Sequence, residues 1–132
     1  MAYATALLRD PAATYRQVDM VGRTATADGA GLVALLYDEL LAALRSAAWA
    51  VEHGQFQVRS DRVTRATAIL FALEAGLDFD KGGDLSRTLA GLYAGARRTI
   101  VEASIGRDPA PFRDTAANLE EIAKAWATVR GV

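Results

Sequence analysis

The sequence contains no cysteine, one histidine and only three prolines among 132 residues. Without cysteine the chain can form neither disulfides nor thiolate metal sites, which fits a reducing compartment. Its single histidine, His53, cannot supply the paired Glu-x-x-His motifs of di-metal helical bundles. We therefore expect no metal site and no other cofactor.

The chain also lacks an excess of charge and a long hydrophobic run. Fifteen basic residues face sixteen acidic ones, so no overall field favours nucleic acid or acidic lipid. No apolar run reaches the length of about 18 residues that indicates a membrane span, and the first residues lack the pattern of a signal peptide. We expect a cytoplasmic protein with no nucleic-acid partner and no membrane insertion.

Four stretches of the chain have apolar residues at helical spacing, and none shows the alternation typical of a strand. The apolar fraction of 52% is too high for a disordered chain. We predict an all-α fold, an antiparallel four-helix bundle over residues 28–132, with an N-terminal arm or short helix (1–27) packed on it. The predicted helices cover 28–53, 60–77, 84–105 and 109–129.

The predicted boundaries depend on residues that cap or interrupt helices. Gly54 suits the left-handed position that commonly follows a helix. Two adjacent glycines, Gly82 and Gly83, predict a turn before the third helix. The expected N-caps, whose side chains accept from free amides of the first turn, are Asp28, Ser60 or Asp61, Asp84 and Asp108.

The first predicted helix has more apolar residues than one core requires. About three apolar positions per heptad suffice, and this helix approaches five. The surplus is a line of residues spaced by seven, Leu35, Ala42 and Trp49, between two polar rows opposite the core face. Either another part of the same chain covers this line, or it is a docking site for a partner.

Two further features are not explained by a single core. Phe71 lies about 100° from the apolar stripe of the second helix. Gly91 and Gly95 lie on a flank of the third helix, where each costs about 1 kcal/mol relative to alanine. They indicate either close helix packing or the floor of a groove for a bound peptide. The predicted core face of that helix is Leu85, Leu89, Leu92, Ala96, Ile100 and Ala103.

No arrangement of residues indicates catalysis. His53 lies at a helix C-terminus, where it is best explained as a capping residue. The aspartates near Gly82 lack the ligand spacing and terminal glutamate of a calcium-binding EF-hand. We expect a protein that is not an enzyme.

Several short motifs occur in a specific order along residues 15–130. They are Tyr15-x-x-Val18, Thr24-Ala25-Thr26-Ala27, Leu35-Leu36-Tyr37-Asp38, Ala66 with Ile69-Leu70, Leu77-Asp78-Phe79-Asp80-Lys81-Gly82-Gly83-Asp84, and Leu89-x-x-Leu92-Tyr93 followed by Arg98-x-Ile100-x-x-Ala103. In this order and spacing the chain resembles the FliS-type flagellin export chaperones. It departs from the family pattern at Asp28, Gly29 and Gly31, at Glu39, and at Gly95 and Ala96.

The resemblance implies a cytosolic bundle that binds the C-terminal segment of flagellin, keeps it unpolymerised and assists its export. The candidate client-binding residues are Leu35, Ala42, Trp49, Phe71, Gly91 and Gly95. We expect the arm residues Tyr15, Val18 and Met20 to cover a groove in the free protein.

Other partners and functions stay open at this level. An export-gate component and an anti-sigma factor are further partners that the resemblance allows, and the free protein is expected to be a monomer or weak homo-oligomer. The alternatives are a homo-oligomeric adaptor, whose apolar line pairs with itself, and a phosphotransfer-type signalling bundle.

Overall fold

In the computed structural model, which describes residues 29–129 and the side chains of 31–125, the chain forms four α-helices and no strand within that range. The all-α prediction is confirmed. The predicted cap Asp28 and the arm lie outside the described residues. The helices are α1 (Gly29–Glu52), α2 (Phe56–Ala75), α3 (Phe79–Ala103) and α4 (Ala110–Val129).

The helices pack in a ring in which each contacts two others. α1 contacts α2 and α4, and α3 contacts the same two helices, so α1 and α3 are diagonally opposed. Short connections make consecutive helices antiparallel. The interface between α3 and α4 is the least extensive of the four, which leaves a groove along that side of the bundle.

The core consists of aliphatic side chains around two tyrosines. Tyr37 of α1 and Tyr93 of α3 are both buried, and their hydroxyl oxygens lie 2.6 Å apart. Buried polar atoms require such partners, and this hydrogen bond links the two diagonally opposed helices through the core. The other large, fully buried side chains are Leu36, Leu40, Leu44, Ile69, Leu70, Ile100 and Phe112.

Two predicted boundary residues are confirmed. Gly54 has φ of 68°, the left-handed conformation that glycine adopts without strain, and α1 ends just before it. The Asp108 carboxylate accepts from the Ala110 amide at 2.9 Å, so it caps the start of α4 as expected.

The second helix begins earlier than the sequence predicts. Its N-cap is Gln55, which makes no side-chain capping hydrogen bond. The predicted caps, Ser60 and Asp61, lie inside the helix, where Ser60 donates to the Phe56 carbonyl and Asp61 accepts from Gln57. The prediction was wrong because the chain reverses direction at Gly54 without a longer loop. The polar residues that follow therefore belong to the helix.

The third helix also begins earlier, and Asp84 is not its N-cap. That role belongs to Asp78, whose carboxylate accepts from the Lys81 amide at 2.9 Å. The predicted turn reduces to a kink inside α3, where Gly83 alone has non-helical angles (φ 52°, ψ −124°). Ser86 donates to the Asp78 carbonyl at 2.9 Å. This hydrogen bond joins the helical segments before and after the kink.

The predicted core face of α3 is partly wrong. Leu89 and Ile100 are buried as expected, but Leu85 and Leu92 are 59% and 46% exposed. Tyr93 occupies the buried position that was assigned to Leu92. The actual core face runs through residues 86, 89, 93, 96 and 100, and the two leucines form a second apolar line beside it.

Candidate binding surfaces

The outer face of α1 presents the apolar line that the sequence singles out. Trp49 is 50% exposed, Ala42 is exposed and Leu35 is half-buried. One face of the Trp49 ring stacks on the His53 ring, with centroids 4.2 Å apart and an interplanar angle of 19°. Among the described residues no other aromatic or cationic group is recorded against this ring.

Ion pairs run along both sides of this line. On the side towards α4, Arg45 pairs with Glu120 at 3.2 Å and Glu52 pairs with Arg113 at 2.5 Å. On the side towards α2, Glu39 pairs with Arg65 at 2.8 Å. An apolar centre with a polar rim is the usual composition of a protein interface.

A groove between α3 and α4 forms the second surface. Its volume is about 240 Å³. A Cβ atom built on Gly91 or Gly95 would meet nothing within 4 Å, so these glycines do not serve close helix packing against the described residues. They form the open floor of the groove instead. Its full lining is Gly91, Leu92, Gly95, Ala96, Thr115, Asn118, Leu119 and Ile122.

A third depression lies near the connection between α2 and α3. Its volume is about 270 Å³, and its walls include Val33 of α1, Leu73 and Leu77 of α2, and Leu85 of α3. Tyr93 and Ser86 also line it. The depression can accept an apolar side chain.

Phe71 lies apart from the apolar line on α1 and from the α3–α4 groove, on the side of the bundle formed by α2 and α3. The Arg97 guanidinium carbon is 4.0 Å from the centroid of its ring, and Arg97 also forms an ion pair with Glu74. A cation over an aromatic face is stabilising, so Arg97 gives this exposed ring an intramolecular partner. The six candidate residues are therefore divided among three surfaces.

The arrangement does not resemble a catalytic or metal centre. In the described part of the chain no three His, Cys, Asp or Glu side chains are placed to hold a metal ion. The His53 ring nitrogen Nδ1 lies 2.8 Å from the Trp49 carbonyl oxygen, which is the contact expected of a residue that caps a helix C-terminus. No helix within the described range is long and apolar enough to cross a membrane.

Comparison with known proteins identifies the family. A model of the family described as "Flagellar protein FliS" matches residues 11–131. The chain belongs to the FliS family. The match extends over the whole bundle, so all three surfaces lie within the region that defines the family.

Curated relatives of this FliS-family chain are named flagellar secretion chaperones. The one from Salmonella typhimurium is 28% identical over 116 residues, covering 87% of this chain and 86% of the relative. The one from Vibrio cholerae is 25% identical over 119 residues, with 90% and 88% covered. FliSB from Pseudomonas aeruginosa is 29% identical over 112 residues, with 85% and 89% covered.

Sequence reasoning missed some of the residues that line the α3–α4 groove and the depression between α2 and α3. Leu85 and Leu92 were assigned to the core, and Asn118 and Thr115 were not singled out. A signal was present, because Leu85 and Leu92 are spaced by seven, as are the neighbouring members of the line Leu35, Ala42 and Trp49. Counting apolar positions per heptad in α3, as in α1, would have revealed a second apolar line.

Proposed function

We propose that this chain binds the C-terminal segment of flagellin in the cytoplasm, holds it unpolymerised and assists its delivery to the flagellar export apparatus. The family and the names of its relatives support a role as a flagellar secretion chaperone. The observation that carries the choice of client-binding surface is the open glycine floor between α3 and α4.

A groove of this kind suits an amphipathic helix. In this mode of recognition, an incoming helix places its apolar residues, spaced by three or four, along the groove. Leu92 and Ile122 provide apolar walls, and Asn118 and Thr115 provide polar groups. Because Gly91 and Gly95 have no side chains, the backbone of a client helix can approach α3 closely.

The apolar line on α1 supports a second contact with the same client. It lies diagonally across the bundle from α3, so one rigid helix cannot reach both surfaces. A segment that is disordered before binding can wrap around a large surface. We infer that the client winds around the bundle, with Trp49 and the α3–α4 groove as separate anchor points.

Titration calorimetry with flagellin from the same cells tests the proposal. Intact flagellin is expected to bind with 1:1 stoichiometry and to polymerise more slowly in the presence of the chain. Flagellin without its C-terminal segment, the matched control, is expected not to bind. Equal binding of the two flagellins, or an unchanged polymerisation rate, would contradict the proposal.

Light scattering at several concentrations separates this proposal from the homo-oligomeric adaptor. A chaperone of the proposed kind gives a complex with the mass of one chain and one client. An adaptor whose α1 line pairs with itself would retain a dimer in the complex, and Trp49→Ala would then dissociate the free protein.

A further inference from the structure

One wall of the α3–α4 groove contains a buried hydroxyl group that has no hydrogen-bond partner. Thr115 of α4 lines the groove and is only 7% exposed. No hydrogen bond of its side chain is recorded within the described part of the chain. Most buried polar groups have a partner, because burial without one costs free energy. The role of this hydroxyl group therefore lies outside the bundle's own hydrogen bonds.

The Thr115 hydroxyl oxygen is not sealed inside the core. Among the described residues, the fully enclosed side-chain polar atoms that lack a partner are Arg59 Nε and Thr67 Oγ1 alone. The hydroxyl oxygen of Thr115 therefore keeps a narrow opening to solvent, and the open space that this residue lines is the groove. A group bound in the groove can supply the missing hydrogen bond.

A second polar side chain lies one turn further along the same wall. Asn118 is three residues after Thr115, so the two side chains are neighbours on one face of α4, and both line the groove. Asn118 is exposed, and no hydrogen bond of its side chain is recorded in the described range either. A hydroxyl group donates and accepts, and a carboxamide has two donors and an acceptor. The pair can therefore bind a side chain that both donates and accepts.

The rest of the lining excludes a charged ligand group. None of the eight residues that line the groove is ionisable. Arg98 and Asp114 are close to lining residues in the sequence, but both are exposed and lie outside the lining. A charged side chain covered in the groove would lose water without gaining a partner of opposite charge, which is costly. The groove therefore favours a neutral polar side chain.

We propose that Thr115 and Asn118 form a subsite for a carboxamide side chain, asparagine or glutamine, of a client helix bound in this groove. The proposal rests on the assignment of the groove to the flagellin C-terminal segment. A carboxamide is neutral and has its donor and its acceptor on separate atoms, so it can bind both residues of the pair at once.

The glycine floor brings the client helix near enough for this contact. A Cβ atom on Gly91 or Gly95 would meet nothing within 4 Å, so the client backbone can approach α3 closely while its carboxamide reaches α4. The subsite contributes selectivity more than affinity. A neutral hydrogen bond only replaces bonds to water, but a client without the carboxamide leaves the buried Thr115 hydroxyl unpaired, and sites of this kind discriminate strongly against such ligands.

Thr115→Val tests the subsite, because valine has nearly the shape of threonine without the hydroxyl group. The free protein loses no hydrogen bond, so its urea denaturation midpoint should be equal to or higher than that of the wild type. Its affinity for the flagellin C-terminal segment should fall about five- to tenfold, and Asn118→Ala should lower the affinity as well. Thr64→Val, the same change at an exposed position of α2 outside the groove, is the matched control and should bind like the wild type.

Variants of the client identify the other half of the contact. Each asparagine and glutamine of the flagellin C-terminal segment is replaced by alanine in turn, and calorimetry compares binding to the wild type and to Thr115→Val in a double-mutant cycle. One replacement should weaken binding to the wild type about five- to tenfold and have little further effect with Thr115→Val. Aspartate or glutamate at that position should not restore the affinity.

The outcomes separate this subsite from the proposed function. Equal affinity of the wild type and Thr115→Val, a lower denaturation midpoint of the free variant, or the absence of any coupled replacement would overturn the subsite while flagellin binding itself stands. Failure of the wild type to bind the flagellin segment at all would contradict the proposed function, and the subsite with it.

Discussion

At the scale of single residues, the most informative positions are those where a glycine or an aromatic residue has a geometric role. Gly82 and Gly83 are adjacent in sequence but differ in structure. Gly83 has positive φ, whereas Gly82 is constrained by space, because a Cβ atom there would lie 2.0 Å from the Ser86 hydroxyl oxygen. The sequence Gly82-Gly83 predicts a turn, but only the structure shows that each position requires glycine for a different reason.

We expect Gly82→Ala to destabilise the protein. The new methyl group displaces the Ser86 hydroxyl from its hydrogen bond to the Asp78 carbonyl. The buried Ser86 hydroxyl is then left unsatisfied, which costs about 1–3 kcal/mol, whereas the Asp78 carbonyl keeps the Gly82 amide as a donor at 2.8 Å. Urea denaturation measures this loss. Gly82→Ala in a Ser86→Ala background is the control, because the contact with the hydroxyl oxygen is then absent and only the 3.1 Å contact with the Cβ of residue 86 remains. Equal destabilisation in both backgrounds would contradict the explanation.

We expect Trp49→Ala to lower client affinity much more than stability. A buried tryptophan cut to alanine costs about 3–5 kcal/mol of stability, but this ring is half exposed, so we expect about 1–2 kcal/mol. At a binding hot spot the same truncation costs roughly 2 kcal/mol or more of binding free energy. Thermal melting and flagellin titration measure the two effects.

Leu35→Ala should change affinity in the same direction by a smaller amount, and Val101→Ala, which truncates an exposed apolar residue elsewhere, should leave it unchanged. If Trp49→Ala unfolds the bundle or binds flagellin normally, the α1 line is not a client site.

At the scale of helices, sequence periodicity predicts the core better than it predicts boundaries. The apolar stripe predicted for the second helix is Val63, Ala66, Leu70, Leu73 and Leu77; the first four are buried in α2, whereas Leu77 lies beyond its end and is partly buried. Errors occur where the pattern permits two readings. The polar residues after Gly54 are compatible with either a loop or a helix. In α3, two lines of apolar residues are each compatible with burial in the core. Packing resolves that choice in favour of Tyr93, because only its hydroxyl reaches Tyr37.

The candidate surfaces were predictable only in part. Spacing by seven identified Leu35, Ala42 and Trp49, because helical geometry alone places them opposite the core. It could not show that α3 and α4 separate enough to open a groove, since that depends on how all four helices pack. It also could not show that Arg97 covers Phe71, since the contact joins two helices.

The glycines of α3 provide a prediction about that helix as a whole. We expect Gly91→Ala and Gly95→Ala each to stabilise the protein by about 1 kcal/mol, because alanine is the better helix former and the new methyl groups meet nothing within 4 Å. Thermal and urea denaturation measure the change, with Gly83→Ala as a control that should destabilise because of its positive φ. A loss of stability at Gly91 or Gly95 would mean that they serve close packing.

At the scale of the whole molecule, a free chaperone must keep apolar grooves from aggregating. Exposed apolar patches are a liability unless something covers them, and the chain before α1 contains Tyr15, Val18 and Met20. We predict that this arm covers a groove and is displaced by the client. The apparent affinity for flagellin is then reduced in proportion to the fraction of molecules whose groove is covered by the arm.

Deletion of residues 1–20 should therefore tighten flagellin binding or leave it unchanged. Titration of the deletion variant against the wild type measures the change, and Tyr15→Ser with Val18→Ser in the full chain controls for the altered length. A clear loss of affinity in the deletion variant would mean that the arm is part of the receptor.

The most direct test of the account is the affinity of Gly95→Leu for the flagellin C-terminal segment. Leucine here fills the floor of the α3–α4 groove without meeting another atom near its Cβ, so the variant should be at least as stable as the wild type. Ala117→Leu adds the same side chain at an exposed position of α4 outside the groove and is the matched control.

We predict that Gly95→Leu weakens binding at least about tenfold, which corresponds to about 1.4 kcal/mol, while Ala117→Leu binds like the wild type. A folded Gly95→Leu variant with wild-type affinity would show that flagellin does not occupy this groove.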